Sequence, residues 1–289
     1  MAEQFLTLEH KDRAEILEVA ALKTGRPAHL LEKDIWVVWA LSVLFDSPLG
    51  DDLTFKGGTS LSKAYRVIDR FSEDLDLTYS IRKLLEDFVK NPDALPSTTS
   101  QANKWTNAVR NRLPIWITES IMPLMQQAIE NYSLEATLEI GGKDRDKLFL
   151  IYDPLKRGTG YVSPQIILEF GARGTGMPNE IKQVVCDASG HVPGIIFPTS
   201  TPKVMKIART FWEKATAAHV YCAQQRLRGE RYSRHWYDLV MLMKSEHCNN
   251  ILSDLETANA VAQHKSFFFI EKDTHGNKID YMAAVSGRL

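Results

Sequence analysis

A chain of 289 residues, 44% hydrophobic and 25% charged, has ordinary globular composition, with room for one large domain or two moderate ones. Its net charge of −1 excludes a protein that binds nucleic acid by bulk charge, so any such contact must come from a local basic patch. Three widely spaced cysteines give no disulfide framework or metal spacing, the longest apolar run, Ile35–Phe45, is too short to span a bilayer, and the first residues read as a charged helix with no signal peptide, so a cytoplasmic protein without a membrane is expected.

In chain order, apolar positions at Ala14, Ile16, Leu17, Ala20 and Leu22 predict a helix over 8–24, broken by Gly25 and Pro27. A second helix over 28–46 is apolar on most faces, which predicts burial. Alternation of Leu53 and Phe55 with Thr54 and Lys56 predicts a strand. A glycine pair, Gly57-Gly58, then precedes a helix expected over 60–70, and a second strand follows over 74–79. Proline and a Ser-Thr run mark 91–100 as a loop. Residues 102–130 read as helix interrupted at Pro114 and Pro123. A hairpin is expected from 134–140 and 147–152 around Gly141-Gly142, and a third strand over 165–170. Pro198 and Pro202 flank an expected boundary, giving a core lobe over 1–198 and a mainly helical lobe over 199–289. Helices are expected there over about 203–224 and 233–245.

The chemistry concentrates between residues 56 and 79. Asp74 and Asp76, two apart on a strand, project from one face while Leu75 and Leu77 point to the other. Two carboxylates on one rigid face suit divalent cations, and paired metals roughly 4 Å apart can clamp a phosphoryl displacement. The turn Gly57-Gly58-Thr59-Ser60 offers backbone N–H groups to phosphate, and glycine allows both the close approach and a positive φ. Each feature has a plainer alternative: an acidic edge strand, an ordinary strand-to-helix turn, Ser60 as a helix N-cap.

Further candidates lie downstream. Glu169, in the apolar strand Ile166-Ile167-Leu168-Glu169-Phe170, needs a metal or an ion pair, and Arg173 could supply the latter. Lys214 sits on the rim of a helical stripe through Phe211 and Ala218, where it either reaches a cleft or snorkels to solvent. Asp238 could pair with Arg234 at i−4, worth only ~0.3 kcal/mol, or fix Lys214 or a nucleotide group. His235 has no assigned role. The 224–234 loop, with Arg226, Arg228, Arg231 and Arg234, is either a solvated charged run or a contact for RNA.

Together these residues resemble the AbiEii/AbiGii toxin family, a MenT-like branch of the DNA polymerase β-type nucleotidyltransferases. The resemblance rests on Glu32-Lys33-Asp34, Lys56-Gly57-Gly58-Thr59-Ser60-Leu61, Arg70-Phe71-Ser72-Glu73-Asp74-Leu75-Asp76-Leu77, Leu168-Glu169-Phe170-Gly171-Ala172-Arg173, Glu213-Lys214 and Tyr237-Asp238-Leu239, over about residues 30–242. This chain has Arg234-His235 where the family often has Arg-Asp. The resemblance implies an α/β (α+β) polymerase β-like core, a mixed sheet flanked by helices, with a C-terminal helical lobe. It implies Mg²⁺ on Asp74 and Asp76, and an NTP bound by Lys56, Gly57, Gly58, Thr59, Ser60, Ser72 and Lys214. Lys214 and Asp238 would act with the two aspartates in catalysis, with Glu169 as a third carboxylate. It also implies a toxin with a cognate antitoxin, acting on an RNA acceptor, tRNA above all. The rivals are the same chemistry on a protein, and a non-catalytic nucleotide- or RNA-binding module.

Overall fold

Short β-rich runs carrying leucine, isoleucine and phenylalanine at alternate positions build one seven-stranded mixed sheet. The computed structural model describes residues 2–70, 74–156, 163–225 and 229–286, with backbone alone over 229–231. In chain order the strands are β1 (Leu53–Lys56), β2 (Asp74–Tyr79), β3 (Ala136–Gly141), β4 (Lys147–Tyr152), β5 (Gln165–Gly171), β6 (Asn179–Ile181) and β7 (Lys203–Met205). Their spatial order is β3-β4-β5-β2-β1-β7-β6. Within this sheet, among the described residues, only the β2–β5 and β1–β7 pairs are parallel. The fold is thus mixed α/β, as expected.

The helices that matter for the site are α1 (His10–Thr24), α2 (Ala28–Phe45), α3 (Gly57–Lys63), α4 (Thr99–Trp116), α5 (Met122–Asn131), α6 (Ile207–Ala223), α7 (Gly229–Lys244) and α8 (Leu255–Phe268). α1 ends where Gly25 turns left-handed at φ 71°, a conformation glycine takes without steric cost. α2 is buried from Leu31 to Leu41 and packs against β5. Its three charged residues are buried with partners. Glu32 accepts from the Leu155 N–H at 2.9 Å, and Lys33 donates to the Ser163 carbonyl at 3.1 Å. Asp34 pairs with Lys63 at 2.5 Å and accepts from the Asp187 N–H at 2.6 Å. Glu32-Lys33-Asp34 therefore ties the central helix to distant segments, because a buried charge is tolerable only when paired.

Several elements differ from expectation. The helix expected over 60–70 begins at Gly57 and ends at Lys63, because Arg66 takes a left-handed conformation (φ 55°) that no helix continues through. Ser60 is therefore inside the helix and is not its N-cap; Lys56 holds that position. The 102–130 helix is not broken at its prolines. A π turn, Ile117–Ile121, joins α4 to α5, and Pro123 lies in the first turn of α5, where no N–H donor is needed. The helix expected from 203 begins at Ile207. Lys203–Met205 is instead strand β7, which places Val204 opposite Phe55 and extends the sheet beyond residue 198. Finally, β5 is not apolar on both faces. Ile166, Leu168 and Phe170 are buried while Gln165, Ile167 and Glu169 face a more open side.

Candidate active site

The register of four neighbouring strands aligns four charged residues. Lys56 on β1 lies opposite Asp76 on β2, Asp76 opposite Glu169 on β5, and Glu169 opposite Lys147 on β4. Residues paired in register share a face, so a row of lysine, aspartate, glutamate and lysine crosses the sheet. Asp74 adds a second carboxylate to the same face one step along β2. The Lys147 Nζ stands 2.5 Å from Glu169 Oε2. Glu169 thus pairs with Lys147 and not with Arg173. Burial alone would lower the Lys147 pKa, but Glu169 and then Asp74 raise it.

Asp76 is the strained member of the row. Burial pushes its carboxyl up to about 6, against the pull of Lys56 and Lys214, while Glu169 and Asp74 add to the rise. The backbone beside it is Gly57, at φ 77°. A Cβ there would lie 2.6 Å from Asp76 Cγ, so only glycine brings the turn against this carboxylate.

Above the row, Lys214 on α6 meets Asp238 on α7 at 2.9 Å. Asp238 has 0% exposure and also takes two hydrogen bonds from Arg70, from Nε and Nη2, each 2.7 Å. Burial would raise the Asp238 pKa; Arg70 and Lys214 reverse this and hold it below the usual range. Asp238 is therefore joined to Arg70 and Lys214, not to Arg234, which is exposed.

A cavity of about 450 Å³ opens here, and Asp74, Lys147, Arg70 and Asp238 are not among its lining residues. Lys56, Gly57, Gly58, Asp76, Glu169 and Lys214 all line it. Thr59 and Ser60 do not; their hydroxyls brace the turn from behind. Thr59 donates to the Asp74 carbonyl at 2.5 Å and Ser60 to the Gly57 carbonyl at 2.9 Å. Ser72, Arg226 and Arg228, and the side chain of Arg231, lie outside the described residues. His235 also lines the cavity. Burial first, then Lys214 and Arg70, depress its pKa to about 4, so the imidazole is neutral at physiological pH.

Four site groups escaped the sequence reading. Arg70 and Glu213 were visible only as parts of motifs, and Lys147 emerges only from the strand register. Glu213 and Lys265 form a third charged group: the Lys265 Nζ donates to the Glu213 carbonyl at 3.1 Å, and Arg209 pairs with the Glu213 carboxylate at 3.1 Å. Burial would raise the Glu213 pKa, but Lys56, Arg209 and Lys265 hold it at about 2. The Arg209–Glu213 pair has i,i+4 spacing that a helix would bring together; the Lys147–Glu169 and Lys265–Glu213 contacts join segments far apart and carry no such signal.

Among the described residues no three His, Cys, Asp or Glu side chains form a self-sufficient metal cage. Two carboxylates on an open face fit Mg²⁺ nonetheless. This ion keeps several waters and binds through one or two carboxylates plus substrate phosphates. The Asp76 carboxyl, raised by burial and then by Glu169 and Asp74 against the pull of Lys56 and Lys214, marks a face that gains from a bound cation.

Comparison with known proteins gives a family. The model described as "Nucleotidyl transferase AbiEii toxin, Type IV TA system" matches residues 39–280. No curated protein matches the sequence significantly. Among solved structures, MenT4, a nucleotidyltransferase toxin from Mycobacterium tuberculosis H37Rv, is similar at 16% identity and a TM-score of 0.40, over 93% of this chain and 92% of that one.

Proposed function

This chain belongs to the AbiEii nucleotidyl transferase toxin family, and we propose that it moves a nucleoside monophosphate from an NTP to an RNA acceptor, tRNA in the first instance, with Mg²⁺ as cofactor. It is a nucleotidyltransferase toxin of a toxin–antitoxin system, which brings an NTP substrate and an antitoxin partner with it. The observation that carries the reading is the register that sets Asp76 beside Glu169, with Lys214, held by Asp238, lining the same cavity.

Asp74 and Asp76 are the residues that would hold Mg²⁺, which when bound neutralises charge on the reacting phosphates. Lys214 and Lys56 face the cavity and place two positive charges against the triphosphate. Gly57 and Gly58 allow the main chain to come close to it. Arg70 and Asp238 hold the Lys214 ammonium in place, so its orientation is set before substrate arrives. An acceptor hydroxyl displaces pyrophosphate from the α-phosphorus, and Glu169, tethered by Lys147 at the open side of the row, is the third carboxylate. Arg226, Arg228, Arg231 and Arg234 are the proposed contacts for RNA phosphates. The same reading keeps a cytoplasmic location and a division of the chain near residue 198; no helix among the described residues is long and apolar enough to cross a membrane.

A protein acceptor is the second reading. One observation favours it: Trp236, Val240 and Met243 form an exposed apolar line along α7, whose other face carries Asp238. The experiment is incubation with each α-labelled NTP, Mg²⁺ and either total RNA or total protein, followed by gel separation. Label in tRNA supports the first reading, label in protein the second, and no label in either overturns both.

A further inference from the structure

Other parts of the cavity lining have a different character. Gly171, Gly174 and Gly176 contribute main chain to it and Leu113 and Val261 apolar side chains, with Arg173 and His264 beside them. Gly176 is left-handed, at φ 76°, and a Cβ there would lie 2.7 Å from Thr54 Cβ, so this position cannot carry a side chain. Main chain next to apolar side chains offers a surface on which a flat group can lie, and the polar groups around it can meet that group's edge.

One polar atom points to the group that would lie there. Thr210 on α6 lines the cavity and is 3% exposed, yet its Oγ1 is buried without a hydrogen-bond partner among the described residues. A helical threonine ordinarily satisfies itself on the carbonyl one turn back. Thr216, on the same helix, does so with the Trp212 carbonyl at 2.6 Å. Thr210 does not, and an unpaired buried hydroxyl costs free energy unless a ligand completes it. Thr210 and Lys214 are four residues apart on one helix face, which puts them about 6 Å apart along the axis. That is roughly the offset from a nucleotide's phosphate, across its ribose, to its base.

We propose that this part of the cavity is the nucleobase subsite and that the Thr210 hydroxyl, hydrogen-bonding the base edge, sets which NTP is accepted. The inference rests on the NTP reading above and adds a specificity-determining residue to it. A site built to hydrogen-bond its ligand rejects analogues that cannot reciprocate, so one hydroxyl here discriminates between bases.

The test is the dissociation constant of each of the four NTPs, and of inorganic tripolyphosphate, with Mg²⁺, for the native protein, Thr210→Val and Thr210→Ser. The valine variant keeps the volume of threonine and the serine variant keeps the hydroxyl. We expect Thr210→Val to weaken the preferred NTP by about tenfold, to narrow the spread among the four NTPs, and to leave tripolyphosphate unchanged. Thr210→Ser should keep the native order of preference. Equal affinities for native and Thr210→Val with all four NTPs would overturn the subsite. So would a uniform loss across the four, which would place the hydroxyl at the ribose. Native protein that binds none of the four NTPs would instead overturn the NTP reading, and the subsite with it.

Discussion

Arg70 closes on Asp238 with two parallel hydrogen bonds, both 2.7 Å, and so joins the segment that leads into β2 to the middle of α7. The carboxylate they share has no contact with solvent and is also claimed by Lys214. Removing one cation from such a group leaves buried negative charge short of compensation. Arg70→Ala should therefore lower unfolding stability by about 3 kcal/mol. Arg70→Lys, which keeps the charge but not the fork, should recover part of that loss. Urea midpoints for the three proteins check this, and an unchanged midpoint in Arg70→Ala would remove the clasp from any structural role.

Asp76→Asn separates stability from activity. The native carboxyl is pushed up to about 6 by burial, with Glu169 and Asp74 adding to the rise. A neutral amide of the same size relieves that tension, so the melting temperature should hold or increase. Transfer should fall by more than the roughly 10²-fold typical of losing an outer-shell partner of a metal. Melting curves and single-turnover transfer assays provide the two readouts; near-native turnover would contradict the assignment of Asp76.

Lys214→Ala should weaken NTP binding about tenfold, or about 1.4 kcal/mol, while Arg70 continues to pair Asp238. Calorimetric titration measures it. An unaltered affinity would leave Lys214 as a partner of Asp238 and nothing more.

Glu32 predicts a pH dependence of stability. It is 2% exposed, and burial raises its pKa from 4.5 to about 7, against the pull of the Leu155 and Lys156 backbone N–H groups and Arg13. Between these two values the folded state holds a proton that the unfolded state has released. The stability tied to this group is thus complete below pH 4.5 and declines as pH rises through 7, by about 3 kcal/mol in all. Glu32→Gln should flatten this slope and raise stability most at pH 8, because an amide oxygen can still accept from the Leu155 N–H. Unfolding curves at pH 5, 6, 7 and 8 decide it, and parallel profiles for the two proteins would contradict the shift.

The carboxylate face and the glycine turn were legible because both are local. A two-residue period fixes where Asp74 and Asp76 point, and Gly57 marks its own φ. Lys147 was not legible, since its meeting with Glu169 depends on which strands become neighbours. Arg70 and Asp238 are likewise brought together by the fold alone. Val204 and Met205 were read as helix because a helical stripe continues beyond them; sheet pairing overrode that pattern. The prolines misled for local reasons: Pro114 sits within α4 near its end, and Pro123 follows the π turn in the first turn of α5. The orphaned Thr210 hydroxyl has no signature in the sequence, because the same threonine on another turn of the helix would bond backward as Thr216 does.

The parallel pairing of β2 with β5 also governs when the enzyme can first act. Asp74 and Asp76 leave the ribosome early, but Glu169 and the Asp238 that steadies Lys214 come much later in the chain. At roughly 5–20 residues per second, on the order of ten to thirty seconds separate the first carboxylate from the last. For the first part of that interval the nascent chain lacks Glu169, and to its end it lacks the Asp238 that steadies Lys214. If these residues carry the proposed roles, a chain interrupted before α7 is expected to be inactive however well its first half had folded, and the capacity to harm would arrive only near the close of its own synthesis.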